Sequence, residues 1–140
     1  MAKIQRTLGM VKPCNFKNSK SIMTNIKDAG FTLSGATCFR WSKQAAAEFY
    51  IEHKDKPFYG ELIDYLTEGD VLVFVLEGED VVSRFRKFVG NTDPKKAAKG
   101  TLRALYGESK ARNGIHSSAN VGDAEREIAL SGVMAVDAGS

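Results

Sequence analysis

A chain of 140 residues, 43% apolar and 26% charged, has the make-up of a soluble globular protein able to bury a core without disulfides or a structural metal. Its net charge of +3 is too small to demand a nucleic-acid partner. No apolar run reaches membrane-spanning length, since the longest, residues 71–76, is strand-sized. The first residues, MAKIQRTLGMVK, lack the apolar stretch of a secretory signal. The two cysteines, Cys14 and Cys38, stand in no CxxC or metal-ligand spacing and fit reduced thiols. The expectation is one domain over 1–140, with a weakly structured tail from 131, in the cytoplasm.

In chain order, residues 4–11 read as a strand stopped by Pro13, which cannot donate to a ladder. A helix is expected over about 19–29, capped by Asn18 or Ser19, with Ile22, Ile26 and Ala29 on one face and Gly30 after its end. Residues 31–41 alternate, with Phe31, Leu33, Phe39 and Trp41 on one face of a half-buried strand. Ser42 caps a second helix running to about His53. Beyond Pro57 a third carries Leu62, Ile63 and Leu66 and closes at Gly69. VLVFVLEG, 71–78, is a buried central strand by its unbroken Val, Leu and Phe content. Glu79 or Asp80 opens a helix with Val81, Val82, Phe85 and Phe88 that ends at Gly90. Residues 91–100 form a loop with one helical turn begun by Asp93-Pro94, and 101–112 are irregular by pattern. Ile115-His116 ends a last short strand, and Asn120 caps a final helix with Val121, Ala124 and Ile128.

Setting aside the helical pair between the second and third strands leaves βαββαβ. That is the α+β, ferredoxin-like pattern: a four-stranded antiparallel sheet with helices packed on one face. Such a fold does not by itself define a function.

Three familiar phosphate-handling devices are missing: GxxxxGK[ST], a GxGxxG after a strand, and the HRD and DFG pair of protein kinases. His116, in RNGIHSSAN, is the best nucleophile candidate, because an imidazole can carry a covalent group and is partly neutral near pH 7. Taken alone, a single histidine is more often structural than reactive. Lys12, Arg86, Thr92 and Arg103 are candidate anion ligands, Lys12 and Thr92 beside proline turns. Phe58 could stack on a base or fill the helix-pair core, and Asn113 could bond a sugar or shape a turn. Two distant histidines and scattered carboxylates make no protein-built metal site.

Taken together, RTLGMVKP, the long run AAAEFYIEHKDKPFYGELIDYLTEGDVLVFVLEGEDVV, GNTDPKKAAKGTLR, RNGIH and AEREI resemble the nucleoside diphosphate kinase family in order and spacing over residues 3–130. That resemblance implies transfer of the terminal phosphate of a nucleoside triphosphate to a nucleoside diphosphate, by ping-pong kinetics through a phosphohistidine at His116. It implies that Lys12, Arg86, Thr92 and Arg103 hold phosphates, and that Lys12 and Asn113 also reach the sugar hydroxyls. Phe58 would stack on the base, with Leu62 lining the same cleft. Tyr50, Ser118 and Glu127 would support the imidazole and its neighbours, and His53 and Lys56 would offer further phosphate contacts. Mg²⁺ would come with the nucleotide, held by its phosphates rather than by the protein. The family is commonly a hexamer or tetramer built from dimers, so a homo-oligomer is expected.

The chain departs from the usual family pattern in places. After the nucleophile, Ser117 stands for glycine, Ala119 for aspartate and Asn120 for serine. Ser117 would be strained if that position needs a positive φ, and would cost little if it does not. Cys14 replaces an aspartate after Lys-Pro, Lys56 stands where many members have arginine, and Ala104-Leu105-Tyr106 lacks another acid. Two alternatives to an active kinase follow: a nucleotide-binding member without turnover, used in interaction or regulation, and an RNA-binding module using an aromatic sheet face. The latter lacks the RRM signature.

Overall fold

The computed structural model describes residues 4–91, 93–107 and 114–132. Four strands, β1 (Ile4–Val11), β2 (Thr32–Phe39), β3 (Val71–Glu79) and β4 (Ile115–Ser117), make one sheet in the order β2-β3-β1-β4. Each neighbouring pair is antiparallel. Among the described residues six α-helices accompany them: α1 (Ser19–Asp28), α2 (Lys43–Phe49), α3 (Tyr59–Leu66), α4 (Val81–Val89), α5 (Leu102–Tyr106) and α6 (Val121–Ser131). The connectivity is the expected ferredoxin-like βαββαβ, with α2 and α3 inserted between β2 and β3.

Period-2 alternation sorts the central strands. Val71, Val73 and Val75 of β3 and Leu8 and Met10 of β1 pack with Trp41, Phe49, Leu66 and Ile128. Phe74 and Leu76 of β3 and Val11 of β1 face Ile22 and Ile26 of α1 and Val81, Phe85 and Val89 of α4. The four-residue spacing of those α4 residues puts them on one stripe, and all three are fully buried. Gly9 sits between the two rings of this layer: a Cβ there would lie 2.3 Å from the Phe74 ring and 3.0 Å from that of Phe85. Only glycine lets β1 and α4 approach this closely.

Helices therefore cover both faces of the sheet, not one. The inserted pair α2–α3, with α6, closes the face that a bare βαββαβ unit leaves open, and among the described residues no aromatic sheet face is left for an RNA-binding mode.

β2 shows a second difference. Strict alternation would put Phe31, Leu33, Phe39 and Trp41 on one side. The register against β3 instead jumps from Leu33↔Leu76 to Gly35↔Val75, leaving Ser34 as an extra residue. This bulge flips the strand. Phe31 and Leu33 join the α1–α4 layer, while Phe39 and Trp41 join the other.

Several ends match their local chemistry. Ser42 accepts a hydrogen bond from the Ala45 amide at 3.1 Å, and Asn120 accepts one from the Asp123 amide at 2.8 Å. Gly30 follows α1 with φ +92°. Asp80 precedes α4, but in the left-handed region at φ 50° and with no side-chain cap bond. α2 stops at Phe49 and gives way to a 3-10 turn at Ile51–His53, short of the single helix expected. Two more 3-10 turns follow prolines, at Pro13–Asn18 and Pro94–Lys96. Part of the segment expected to be irregular is the helix α5.

Candidate active site

His116 sits in β4, opposite Met10 of β1, so its side chain lies on the α2–α3–α6 side of the sheet. Gly114 makes that placement possible. Its φ is +90°, and a Cβ would lie 2.3 Å from the Asn15 amide nitrogen. Its carbonyl accepts from the Lys12 amide at 2.8 Å, joining the start of β4 to the end of β1. His116 and Lys12 thereby come to one end of adjacent strands.

A buried carboxylate holds the imidazole. His116 Nε2 is 2.8 Å from Glu127 Oε1, and the Ser118 hydroxyl donates to the same oxygen at 2.8 Å. Ser118 Oγ in turn accepts from the Leu8 amide at 3.2 Å, so the carboxylate is tied through the serine to β1. Burial alone would raise the Glu127 carboxyl. The His116 charge, the hydrogen bonds from His116 and Ser118, and Arg126 outweigh it and hold Glu127 below the usual carboxylate range. Phe49 meets the imidazole edge-on at a centroid distance of 4.9 Å. Tyr50 packs at 5.2 Å on Phe49, one ring removed from the histidine. Its buried hydroxyl has no hydrogen-bond partner among the described residues, and burial with nearby Glu127 pushes the phenol upward, so it stays a donor.

These groups line a cleft of about 610 Å³ that also contains Lys12, Arg103, Arg86, Lys56, His53, Phe58 and Leu62. Lys12 is 4% exposed. Burial, and then the Arg103 charge, lower its ammonium to about 7, with Cys14 acting the other way. Arg103, on α5, donates from Nε and Nη2 to the Ile115 carbonyl at 3.1 and 3.0 Å, and from Nη1 to the Gly90 carbonyl at 2.8 Å. Three of its five donors go to backbone carbonyls among the described residues. Burial, and then Arg86, pull it down to about 10. Phe58 is 42% exposed at the rim, with Lys56 Nζ 5.6 Å from its ring centre and the His53 ring 5.8 Å away. His53 is lowered by burial, then by Lys56 and His116.

An imidazole bonded to a buried carboxylate, with cations beside it and an exposed ring at the rim, is a set of groups able to bind and neutralise phosphate. The family model described as nucleoside diphosphate kinase matches residues 5–131. The chain belongs to the nucleoside diphosphate kinase family. A nucleoside diphosphate kinase of Nitrosococcus oceani is 42% identical over 127 residues, covering 89% of each chain. One of Campylobacter hominis is 41% identical over 129 residues, covering 91% of this chain and 94% of that one. Among solved structures, an Aquifex aeolicus nucleoside diphosphate kinase superposes with a TM-score of 0.88 at 34% identity, over 92% of this chain and 95% of its own. The Halobacterium salinarum nucleoside diphosphate kinase, solved in complex with CDP, gives 0.88 at 36% identity, over 96% and 94%. The family is one of phosphotransferases, and this chain is an enzyme of that class.

The structure thus brings together Lys12, Tyr50, His53, Lys56, Phe58, Leu62, Arg86, Arg103, His116 and Glu127 in one cleft, with Ser118 behind it. Thr92 and Asn113 lie outside the described residues. Ser117 belongs to β4, and among the described residues Asp80 is the non-glycine with positive φ, so the serine at the glycine position carries no backbone strain. Ala119 lines the cleft where most members bring an aspartate, but Asp123 and Glu52 line it too. Glu52 is raised by its hydrogen bond to Asp123, by burial and by Asp123's charge, and Arg126 Nη2 lies 3.7 Å from it. The sequence reading missed Phe49 as the ring against His116. Its position beside Tyr50 on the buried stripe of α2 carries that signal only once α2 is known to pack on β4's side of the sheet.

Proposed function

We propose that the protein moves the terminal phosphate of a nucleoside triphosphate to a nucleoside diphosphate in two half-reactions through a phosphohistidine at His116. The observation that carries this reading is the 2.8 Å contact of His116 Nε2 with buried Glu127. A carboxylate there takes the proton-bearing nitrogen as its partner and leaves the lone pair on Nδ1. Nδ1 attacks the γ-phosphorus, the bond to the β-phosphate oxygen breaks, and the nucleoside diphosphate leaves. The positive charge gained by the ring is offset by Glu127. In the return step a diphosphate's terminal oxygen attacks the same phosphorus and the P–N bond breaks.

The remaining groups position and neutralise, which is most of what phosphoryl transfer asks of a protein. Lys12, Arg103, Arg86 and Thr92 would hold phosphate oxygens, and the Tyr50 hydroxyl, without a partner among the described residues, would donate to them. His53 and Lys56 would add contacts near the rim. Lys12 and Asn113 would reach the sugar hydroxyls. Phe58 would stack on the base beside Leu62, and because every base has a π-face, discrimination between bases would be small. Among the described residues no group of three or more His, Cys, Asp or Glu side chains could hold a metal ion. By the family resemblance, Mg²⁺, which neutralises phosphate charge, would be carried on the phosphates and water. The family resemblance further supports a homo-oligomer, a hexamer or tetramer built from dimers. It also supports a cytoplasmic location, and the free Cys14 and Cys38 suit a reducing compartment.

The test is to incubate the protein with γ-labelled ATP and Mg²⁺ and no acceptor. The expected result is an acid-labile label on the protein, absent in His116→Ala and discharged by any nucleoside diphosphate. Nucleotide binding without label would favour the silent, regulatory member instead.

A further inference from the structure

The His116 imidazole is bound to Glu127 through Nε2. A bond at that one atom locates Nε2 but leaves the plane of the ring, whose χ2 torsion is intrinsically broad, to be set by packing. Phe49 supplies the packing. It is buried, and it stands against the imidazole at 4.9 Å between centroids with the planes 68° apart. Trp41 holds Phe49 in turn, at 5.2 Å and 54°. The Trp41 indole donates from Nε1 to Met10 Sδ at 3.2 Å. Met10 is the residue of β1 that pairs with His116 in β4. His116, Phe49, Trp41 and Met10 thus close a loop whose last link is the β1–β4 ladder. Phe39 packs on Trp41 at 4.9 Å and Tyr50 on Phe49 at 5.2 Å, walling the loop from outside.

Resting on the phosphoryl-transfer reading above, we propose that Phe49 is a positioning residue that sets the plane of the His116 imidazole for attack on phosphorus, with the Trp41–Met10 hydrogen bond as its anchor. Contacts between rings have preferred geometries, so they restrain orientation as well as burying area. A phenyl ring carries no hydrogen-bonding atom, so it orients the imidazole without occupying Nδ1. The thioether of Met10 is a weak acceptor. Both it and Trp41 are buried, however, so an indole N–H that lost the sulfur would find no water in its place. In-line attack tolerates little misplacement, and an error of about 1 Å in the nucleophile is felt as lost rate. Phe49 also lines the cleft, so the division of its effect between rate and affinity separates positioning from mere lining.

Three variants of the full chain test this: Phe49→Leu, Trp41→Phe and Met10→Leu. Each is followed by single-turnover phosphorylation from ATP, by ADP affinity from calorimetry, and by the His116 Nδ1 and Nε2 resonances in ¹H–¹⁵N NMR without nucleotide. Phe49→Leu should slow phosphorylation about tenfold and leave ADP affinity within about twofold. Its His116 resonances should show mixed tautomers in place of the single Nε2–H form. Trp41→Phe and Met10→Leu remove the same bond, so each should slow phosphorylation about threefold and the double variant no further. An unchanged rate in Phe49→Leu, a loss of ADP affinity as large as the loss of rate, or additive effects of the Trp41 and Met10 variants would overturn the proposal. If Phe49→Leu does not fold, the Trp41 and Met10 variants carry the test. If the unaltered protein takes no phosphate from ATP, the functional reading fails, while the His116 resonances still decide the positioning role. The same single tautomer in Phe49→Leu as in the unaltered protein would then overturn it.

Discussion

Alternate residues of β1 point to opposite faces of the sheet, and the two faces diverge where the cleft opens. Toward α1 and α4, Gly9 and Val11 meet Phe74, Phe85, Ile22 and Val89, a layer of close-packed apolar groups. Toward α2, α3 and α6, Leu8 and Met10 begin in the same way, but the next residue in phase is Lys12, and it shares that side with His116, Glu127 and Tyr50. The first face buries apolar side chains and the uncharged Thr7. The second buries an ammonium at 4% exposure and a carboxylate at 5%, which water would otherwise solvate. One face supplies stability, and the other gives some up to bury charges, which on the proposed function meet the phosphates.

Substitutions can separate the two. On the proposed mechanism, His116→Ala should lower phosphoryl transfer by at least about 10⁴-fold, with a much smaller fractional loss of stability from leaving the Glu127 carboxylate buried without its imidazole. Single-turnover kinetics and a thermal scan on the same sample check both halves. Phe85→Ala should do the reverse. It empties the centre of the apolar face and should cost about 3–5 kcal/mol in urea unfolding, with kcat of the folded fraction unchanged at low temperature.

Lys12→Met should weaken nucleotide binding and yet stabilise the empty protein by about 2 kcal/mol below pH 7. The sign follows from the titration. Folding lowers Lys12 from its usual 10.5 to about 7, so between those values the unfolded chain holds a proton that the native state has lost. The unaltered protein therefore gains stability from this group as pH rises, and the advantage of Met should fade toward pH 10.5. Denaturant midpoints measured across that range would show it, and a pH-independent difference would contradict the buried-charge account.

The smallest effect is expected at the rim. Phe58→Ala removes a half-exposed ring and should weaken every nucleoside diphosphate by about 1 kcal/mol, with similar factors for purines and pyrimidines. A large loss for one base alone would contradict stacking.

The apolar face was the more legible of the two. β1, β3 and α4 announce themselves because their patterns are strictly local: alternation, an unbroken Val/Leu/Phe run, and a stripe at helical spacing. The caps at Ser42 and Asn120 are equally local. Features set by distant partners were not readable. The bulge at Ser34 is a one-residue insertion whose only signature is the pairing with β3. α5 is five residues long, and Arg103 ties it to Ile115 and Gly90. The cover over the second face depends on where α2 and α3 dock. At the cleft, His116 and its neighbours are picked out in the sequence by motifs and a family resemblance. The Glu127–Ser118–Leu8 chain and the edge of Phe49 came only with the folded structure, because they join α6, β4, β1 and α2 across the molecule.

The central claim is that Glu127 holds Nε2 so that Nδ1 carries the phosphate. The most direct test is to phosphorylate ¹⁵N-histidine-labelled protein with ATP and Mg²⁺, remove the nucleotide, and identify the phosphorylated nitrogen by ³¹P–¹⁵N correlation NMR at alkaline pH. The account predicts one phosphohistidine, at Nδ1 of His116. Phosphate on Nε2, or on a residue other than His116, would contradict it.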